Sequence, residues 1–181
     1  MTHGSDILVR AADESDLEAL TDLYNRYVRE TAITFDTAPF SPEQRRSWLL
    51  SHRKDGPHRL LVARQRGGHA PDRPAAAPGR LLGYAHSSPF KPKAAYATSI
   101  ECSVYVAPDA GGRGLGTLLY RHLFEVLEGE DLHRAYAGIT VPNEASVRLH
   151  RRFGFERCGL YREAGRKFGR YHDVERFEKV L

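Results

Sequence analysis

Two cysteines in 181 residues, Cys102 and Cys158, are too few for a disulfide framework, and neither stands in a zinc-ligand spacing. Each lies in a short apolar, strand-like stretch, so both are expected to be small buried thiols and no metal site is expected. Long apolar runs are missing too. No segment approaches the roughly 20 residues needed to cross a bilayer, and Met1 to Arg10 lacks the basic region and apolar stretch of a secretion signal. No membrane role is expected, and a cytoplasmic location is. Nor does any helix-turn-helix, RNA-binding aromatic motif or zinc finger accompany the basic residues, which acids interrupt almost everywhere. The net charge of +4 is accounted for as well by a small polyanionic ligand as by nucleic acid, and no nucleic-acid partner is expected.

What is present suits one α/β domain. A hydrophobic content of 41% at this length supports a core of its own. Ile7 to Arg10 reads as a first strand; Asp13 or Ser15 then caps a helix carrying Leu17, Leu20, Leu23, Tyr24, Tyr27 and Val28 on one face. Ser41-Pro42-Glu43 opens a second helix, with Trp48 and Leu49 on its apolar side. Leu60 to Arg64 and Leu81 to Ser87 form two antiparallel strands, and the Gly-, Pro- and Ala-rich residues Gln65 to Arg80 between them read as a mobile hairpin loop. Thr98 to Val106 is a longer strand, followed by a Gly-rich loop and a helix with Leu115, Leu118, Leu119, Leu123, Val126 and Leu127 at helical spacing. His133 to Thr140, a helix over Asn143 to Phe153, and strands Glu156 to Tyr161 and Val174 to Leu181 complete the order β-α-α-β-β-β-α-β-α-β-β. That alternation predicts a mixed, mostly antiparallel sheet of about seven strands with helices on both faces.

The main chemical signal is Val104-Tyr105-Val106 followed by Gly112-Arg113-Gly114-Leu115-Gly116-Thr117 at the start of a helix. Glycines let the backbone approach a ligand closely, amide N–H groups point outward, and the helix N-terminus adds about half a positive charge, a combination that holds phosphate. A Walker loop is excluded because no lysine is present, and a dinucleotide fingerprint because Thr117 stands where its third glycine belongs. A pyrophosphate turn of another kind remains. Further on, Asn143, Ser146 and His150 share one helix face by their spacing of three and four. They either meet a ligand or act as a helix cap and a packed histidine.

Gly111-x-x-Gly114-x-Gly116 resembles the coenzyme A pyrophosphate signature of the GNAT acetyltransferases, with Gly111 where the family carries glutamine or arginine. The run from Asn143 through Ser146, Leu149 and His150 to Gly154-Phe155 resembles the family's second cofactor block. Across nearly the whole chain the similarity narrows to the phosphinothricin and methionine sulfone or sulfoximine acetyltransferases, through Tyr24-Asn25, Thr31 to Phe35, Pro89-Phe90-Lys91, Tyr96, Ile100 to Val106 and Gly165 to Asp173. Phe90 replaces the usual tryptophan, and Gln65 to Arg80 is longer than the family's loop.

The resemblance implies acetyl-CoA as cosubstrate, a small amine as substrate, a homodimer and no metal. Val104, Tyr105 and Val106 would lie along the acyl arm, their backbone N–H groups polarising the thioester carbonyl as charge develops on its oxygen. Gly112, Arg113, Gly114, Leu115, Gly116 and Thr117 would hold the pyrophosphate, with Asn143 and Ser146 on the cofactor's other side. A protonated amine cannot attack a thioester, so a carboxylate base is needed; Glu101, which shares a strand face with Ser103 and Tyr105, matches the family's catalytic glutamate. His150 would donate a proton to the departing thiolate or hold substrate. Lys91, Lys93 and Tyr96, joined by Arg166-Lys167, would form a cationic pocket for the substrate's anionic end. Two rivals stand beside this: a GNAT acting on a peptide N-terminus, polyamine or antibiotic amine, and a non-catalytic acyl-CoA-binding module.

Overall fold

In a computed structural model, which describes residues 7–66 and 79–181, the chain runs β1 (Ile7–Ala11), α1 (Leu17–Glu30), α2 (Pro42–Leu50), β2 (Leu60–Gln65), β3 (Leu81–Pro89) and β4 (Ser99–Val106). It continues through α3 (Leu115–Leu127), β5 (Arg134–Thr140), α4 (Glu144–Arg152), β6 (Glu156–Lys167) and β7 (Arg170–Val180). The strands form one seven-stranded sheet in the order β1-β2-β3-β4-β5-β7-β6. Every neighbouring pair is antiparallel except β4 and β5, which are parallel.

Local chemistry sets the helix ends. Ser41 accepts from the Gln44 amide while the Gln44 side chain accepts from the Ser41 amide, and Pro42 fills the first helical position of α2, where a missing N–H costs nothing. Along α1, Leu17, Leu20, Thr21 and Val28 recur at helical spacing and are buried. A buried carboxylate precedes that helix. Asp16, fully enclosed, takes Arg10 at 2.7 Å and Arg64 at 2.6 Å, so its charge is paired twice and β1, β2 and the start of α1 are tied together.

Alternation gives the sheet two faces. Ile100 and Cys102 of β4 point into the core beneath α3, whose Leu119 and Leu123 are fully buried. Tyr84 of β3 points the other way, toward Trp48 of α2 and the stacked ring of Tyr105. Helices therefore cover both faces, and the expected element order is observed.

Two expectations are revised, and a third falls partly outside the described residues. β6 and β7 are longer than the sequence pattern suggested, because Gly165 to Asp173 continues the hairpin around a turn at Phe168-Gly169, both with positive φ. Cys158 is exposed, not buried; it falls at a register shift on the edge strand β6, whereas Cys102 is buried and its thiol is pushed up to about 12 by burial. The loop Gln65 to Arg80 connects antiparallel β2 and β3 as expected, but its residues 67–78 lie outside those described.

Candidate active site

The site begins where two strands part. β4 pairs with β5 only over Ser99, Ile100 and Glu101 against Arg134, Ala135 and Tyr136. Past Glu101 the strands separate, so the facing backbone edges of Cys102–Val106 and of Ala137–Thr140 have no partner strand. Unpaired N–H and C=O groups seek hydrogen bonds, and an extended amide-containing arm laid between the strands supplies them. A cleft of about 420 Å³ opens at this point, and Val104, Tyr105, Val106, Gly112, Gly114, Leu115, Gly116, Thr117, Asn143, Ser146 and His150 all line it. One carbonyl is already taken, since Tyr27 donates its hydroxyl to Val106 across 2.6 Å.

The glycine loop has the properties a pyrophosphate needs. Gly112 and Gly114 adopt φ of +75° and +76°, which non-glycine residues resist, and Gly114 serves as the N-cap of α3 without any side chain. A Cβ at either glycine would point into open space. Among the described residues, none of the amides of Gly112 to Thr117 donates to a backbone carbonyl. They remain available for anionic oxygens. Gly111 has φ of −63°, so its lack of a side chain answers no backbone demand, and Arg113 lies on a neighbouring surface with Arg80 and Asp109 instead of lining the cleft.

On the opposite wall, Asn143 caps α4 by accepting from the Ser146 amide at 3.2 Å, and His150 is 3% exposed. His150 Nδ1 lies 2.8 Å from the carbonyl of Ser146, and Nε2 lies 2.8 Å from the hydroxyl of Tyr120. A carbonyl can only accept, so Nδ1 carries the ring proton and Nε2 accepts from Tyr120. Burial holds the ring below its usual range, which keeps it neutral. Neither nitrogen has a proton free for a departing thiolate. The expected donor role therefore gives way to packing: His150 shapes the cleft wall, with Tyr120, Phe155 and Phe177 around it.

Glu101 stands where the strands diverge. Its Oε1 accepts from Arg176 Nη1 of β7 at 2.8 Å, and the carboxylate is 36% exposed. Arg176 reaches it across β5 by passing over Gly138, where a Cβ would lie 2.6 Å from Nη1. Opposite Glu101 on β3 is Ser88, whose hydroxyl is 2.9 Å from His86 Nδ1 and 3.4 Å from His52 Nε2. Burial, helped by neighbouring His52 and Arg45, drives His86 down to about 3, so this polar edge carries neutral imidazole.

The expected cationic pocket does not assemble as one unit. Lys91 and Lys93 are exposed, with Lys91 Nζ 5.0 Å from the Phe90 ring and 5.3 Å from that of Tyr96. Phe90 stacks on Tyr136 with centroids 4.0 Å apart, which places this group beside Glu101. Arg166 and Lys167 belong elsewhere. Arg166 pairs with Tyr171 at the hairpin tip, while Tyr136 pairs with Glu178, seven residues further along β7 and thus roughly 23 Å away. Lys167 is 4% exposed and donates to the carbonyl of Thr34 at 2.7 Å, and burial lowers its ammonium below its usual range despite Asp36 nearby. It docks the hairpin on the loop after α1. Gly165 receives the Phe35 ring in the same contact.

Arg176 and Tyr120 escaped the sequence reading. One signal was available for the first: a glycine inside a strand, Gly138, marks a close approach by another group.

Residues 18–155 match the Acetyltransferase (GNAT) family. The chain is 61% identical over 177 residues to a phosphinothricin N-acetyltransferase of Streptomyces coelicolor, covering 98% of both proteins. It is 34% identical over 166 residues to an L-methionine sulfoximine/L-methionine sulfone acetyltransferase of Pseudomonas aeruginosa, covering 92% of this chain and 90% of that one. The crystal structure of a GNAT superfamily phosphinothricin acetyltransferase from Sinorhizobium meliloti in complex with AcCoA superposes with a TM-score of 0.85 at 28% identity, covering 97% and 89% of the two chains.

Proposed function

The chain belongs to the GNAT family of N-acetyltransferases, and from that membership we propose that it acetylates the α-amine of a small amino acid analogue of the phosphinothricin, methionine sulfone or sulfoximine type. The observation that carries the substrate class is the 61% identity, over 98% of both proteins, to a phosphinothricin N-acetyltransferase. In this reading acetyl-CoA supplies the acetyl group as a thioester. The amides of Gly112 to Thr117 hold the pyrophosphate, and the free edge of Val104 to Val106 aligns the acyl arm and offers N–H groups to the carbonyl oxygen.

Glu101 takes the proton that the substrate ammonium must lose, on the oxygen that Arg176 leaves open. The amine then attacks the carbonyl directly. The N–C bond forms, the C–S bond breaks, coenzyme A leaves as its thiolate and the second proton of the attacking nitrogen passes to that sulfur; no covalent enzyme intermediate is required, in keeping with a wall on which the only cysteine near the cleft, Cys102, is a buried neutral thiol. Lys91 and Tyr96 beside Glu101 receive the phosphinate or sulfone oxygens. A metal-free homodimer in the cytoplasm accompanies this reading and is open to light scattering and fractionation.

One screen tests it: amino acids, their phosphinate, sulfone and sulfoximine analogues, a polyamine and a short peptide are offered with acetyl-CoA, and free thiol release is followed. Phosphinothricin or methionine sulfone should exceed methionine in kcat/KM by at least about tenfold, the equivalent of one lost polar contact of roughly 1.4 kcal/mol. Lys91→Ala should narrow the gap. Acetylation of the peptide or polyamine alone would defeat the substrate class and leave only the family.

A further inference from the structure

We infer that Arg176 and Glu101 act together as a reader of the substrate's zwitterion, Arg176 binding its α-carboxylate while Glu101 receives its α-ammonium. The inference rests on the function proposed above and adds a specificity residue to it.

The pair is built differently from a structural salt bridge. Contact is limited to one nitrogen and one oxygen, Nη1 to Oε1 at 2.8 Å. Among the described residues no other hydrogen bond is made by the Arg176 guanidinium or by Glu101 Oε2. A guanidinium carries five N–H donors in a planar fork suited to a carboxylate, so most of its capacity is unspent. At the same time Arg176 is only 17% exposed and lies under the Tyr161 ring, 5.8 Å from its centroid, so it is held in place and not left to wander in solvent. Its half-desolvated charge makes a stronger partner for an anion than a surface lysine does.

Position links the pair to the reaction. Arg176 lies directly over Gly138, which lines the cleft, and Glu101 precedes Cys102 and Ser103, which also line it. The absence of a side chain at Gly138 is what lets the guanidinium cross β5, since a Cβ would stand 2.6 Å from Nη1. An amino acid has its ammonium and carboxylate on one carbon. Laid against an adjacent carboxylate and guanidinium, it satisfies both charges at once and presents its nitrogen to Glu101. Lys91, exposed beside the Phe90 and Tyr96 rings, is then free for the side-chain oxygens, so Arg166 and Lys167 are not needed in the pocket.

The test compares L-methionine sulfone with its decarboxylated counterpart, 3-(methylsulfonyl)propylamine, in wild type, Arg176→Met and Arg176→Lys. Steady-state kinetics and calorimetric binding of each compound are both measured, so the readout does not depend on turnover alone. Wild type should favour the amino acid by at least about tenfold in kcat/KM, and Arg176→Met should erase that preference by raising KM and Kd for the amino acid while changing those for the amine by less than about threefold. Arg176→Lys should recover part of the preference, because it keeps a charge without the fork. Equal handling of both compounds by wild type, or an equal loss for both in Arg176→Met through kcat, overturns the inference and leaves Arg176 as a positioner of Glu101. Acetylation of neither compound while a peptide or polyamine is acetylated overturns the substrate reading and this inference with it.

Discussion

Tyr120 donates its hydroxyl proton to Nε2 of His150 across 2.8 Å, inside the wall of the cleft and out of reach of water. Burial raises the phenol well above its usual range and lowers the imidazole, so both members stay neutral and the contact is an ordinary hydrogen bond between two fully packed rings. The pair supports the cleft wall through geometry and not through proton supply.

Tyr120→Phe should accordingly cost stability more than turnover. Removing the hydroxyl leaves a buried acceptor unpaired, a loss of about 1–3 kcal/mol, which urea unfolding would show. Turnover should change by less than about threefold, far below the 10²- to 10⁴-fold typical of a general acid. A hundredfold fall in kcat with unchanged stability would return the proton-donor role to this pair.

Gly114→Val should fold with a modest loss and bind acetyl-CoA at least about tenfold more weakly, or 1.4 kcal/mol. A side chain there meets no protein atom, so the folding penalty is confined to the φ of +76°, about 1–3 kcal/mol for a non-glycine residue. The loss of affinity instead comes from obstructing the amides of the loop. Titration calorimetry on the folded variant decides it, and unaltered affinity would remove the pyrophosphate assignment.

Glu101→Gln should keep cofactor affinity and slow turnover by about 100-fold or more, because the amide accepts no proton from the ammonium. The amide can still accept from Arg176, so the cross-strand contact at 2.8 Å and the local fold survive. Near-normal turnover with the wild-type pH profile would assign the base elsewhere.

How far the sequence discloses this site depends on whether the partners of a residue are local. Glycine spacing at Gly112, Gly114 and Gly116 and the cap at Asn143 are short-range patterns, and both lie on the cleft. The fold follows for the same reason: strand alternation and helical spacing act over a few residues, so about seven strands with helices on both faces are legible in the sequence. The partners of Arg176, Lys167 and His150 are set by contacts between distant segments. Arg176 meets Glu101 only because β7 lies beside β5, Lys167 spends its ammonium on Thr34 because the hairpin folds back on the loop after α1, and Nε2 of His150 is occupied by the hydroxyl of a tyrosine 30 residues earlier. A basic residue near a motif therefore reveals its charge in sequence but not the group that neutralises it.

Stability should fall as pH drops from 7 to 5, and His86 should carry much of the slope. In the folded chain burial pushes His86 down to about 3 and also lowers His52 and His150, whereas an unfolded histidine titrates near 6.5. Below about 6.5 the unfolded chain takes up protons that the native state refuses, so the unfolding free energy decreases with falling pH; above 6.5 both states are neutral and the stability is fully present. For His86 the loss runs from about 6.5 down to about 3, and over the two pH units measured it should be about 2 kcal/mol. The groups facing its ring, Trp48, Tyr84, His52 and the Ser88 hydroxyl, supply no carboxylate to offset the penalty. Carboxylates held low in the native state, such as Asp13 beside Ser15 and Glu43 at the start of α2, lose their contribution mostly below about 4.5, under the range measured. Urea unfolding of wild type and His86→Gln at pH 5, 6 and 7 isolates the effect: the variant should start from a lower stability, having lost the ring's contacts with Trp48 and Tyr84, and should decline less steeply. Parallel slopes for the two proteins would show that His86 titrates alike in both states and that the aromatic cluster around it does not hold it neutral.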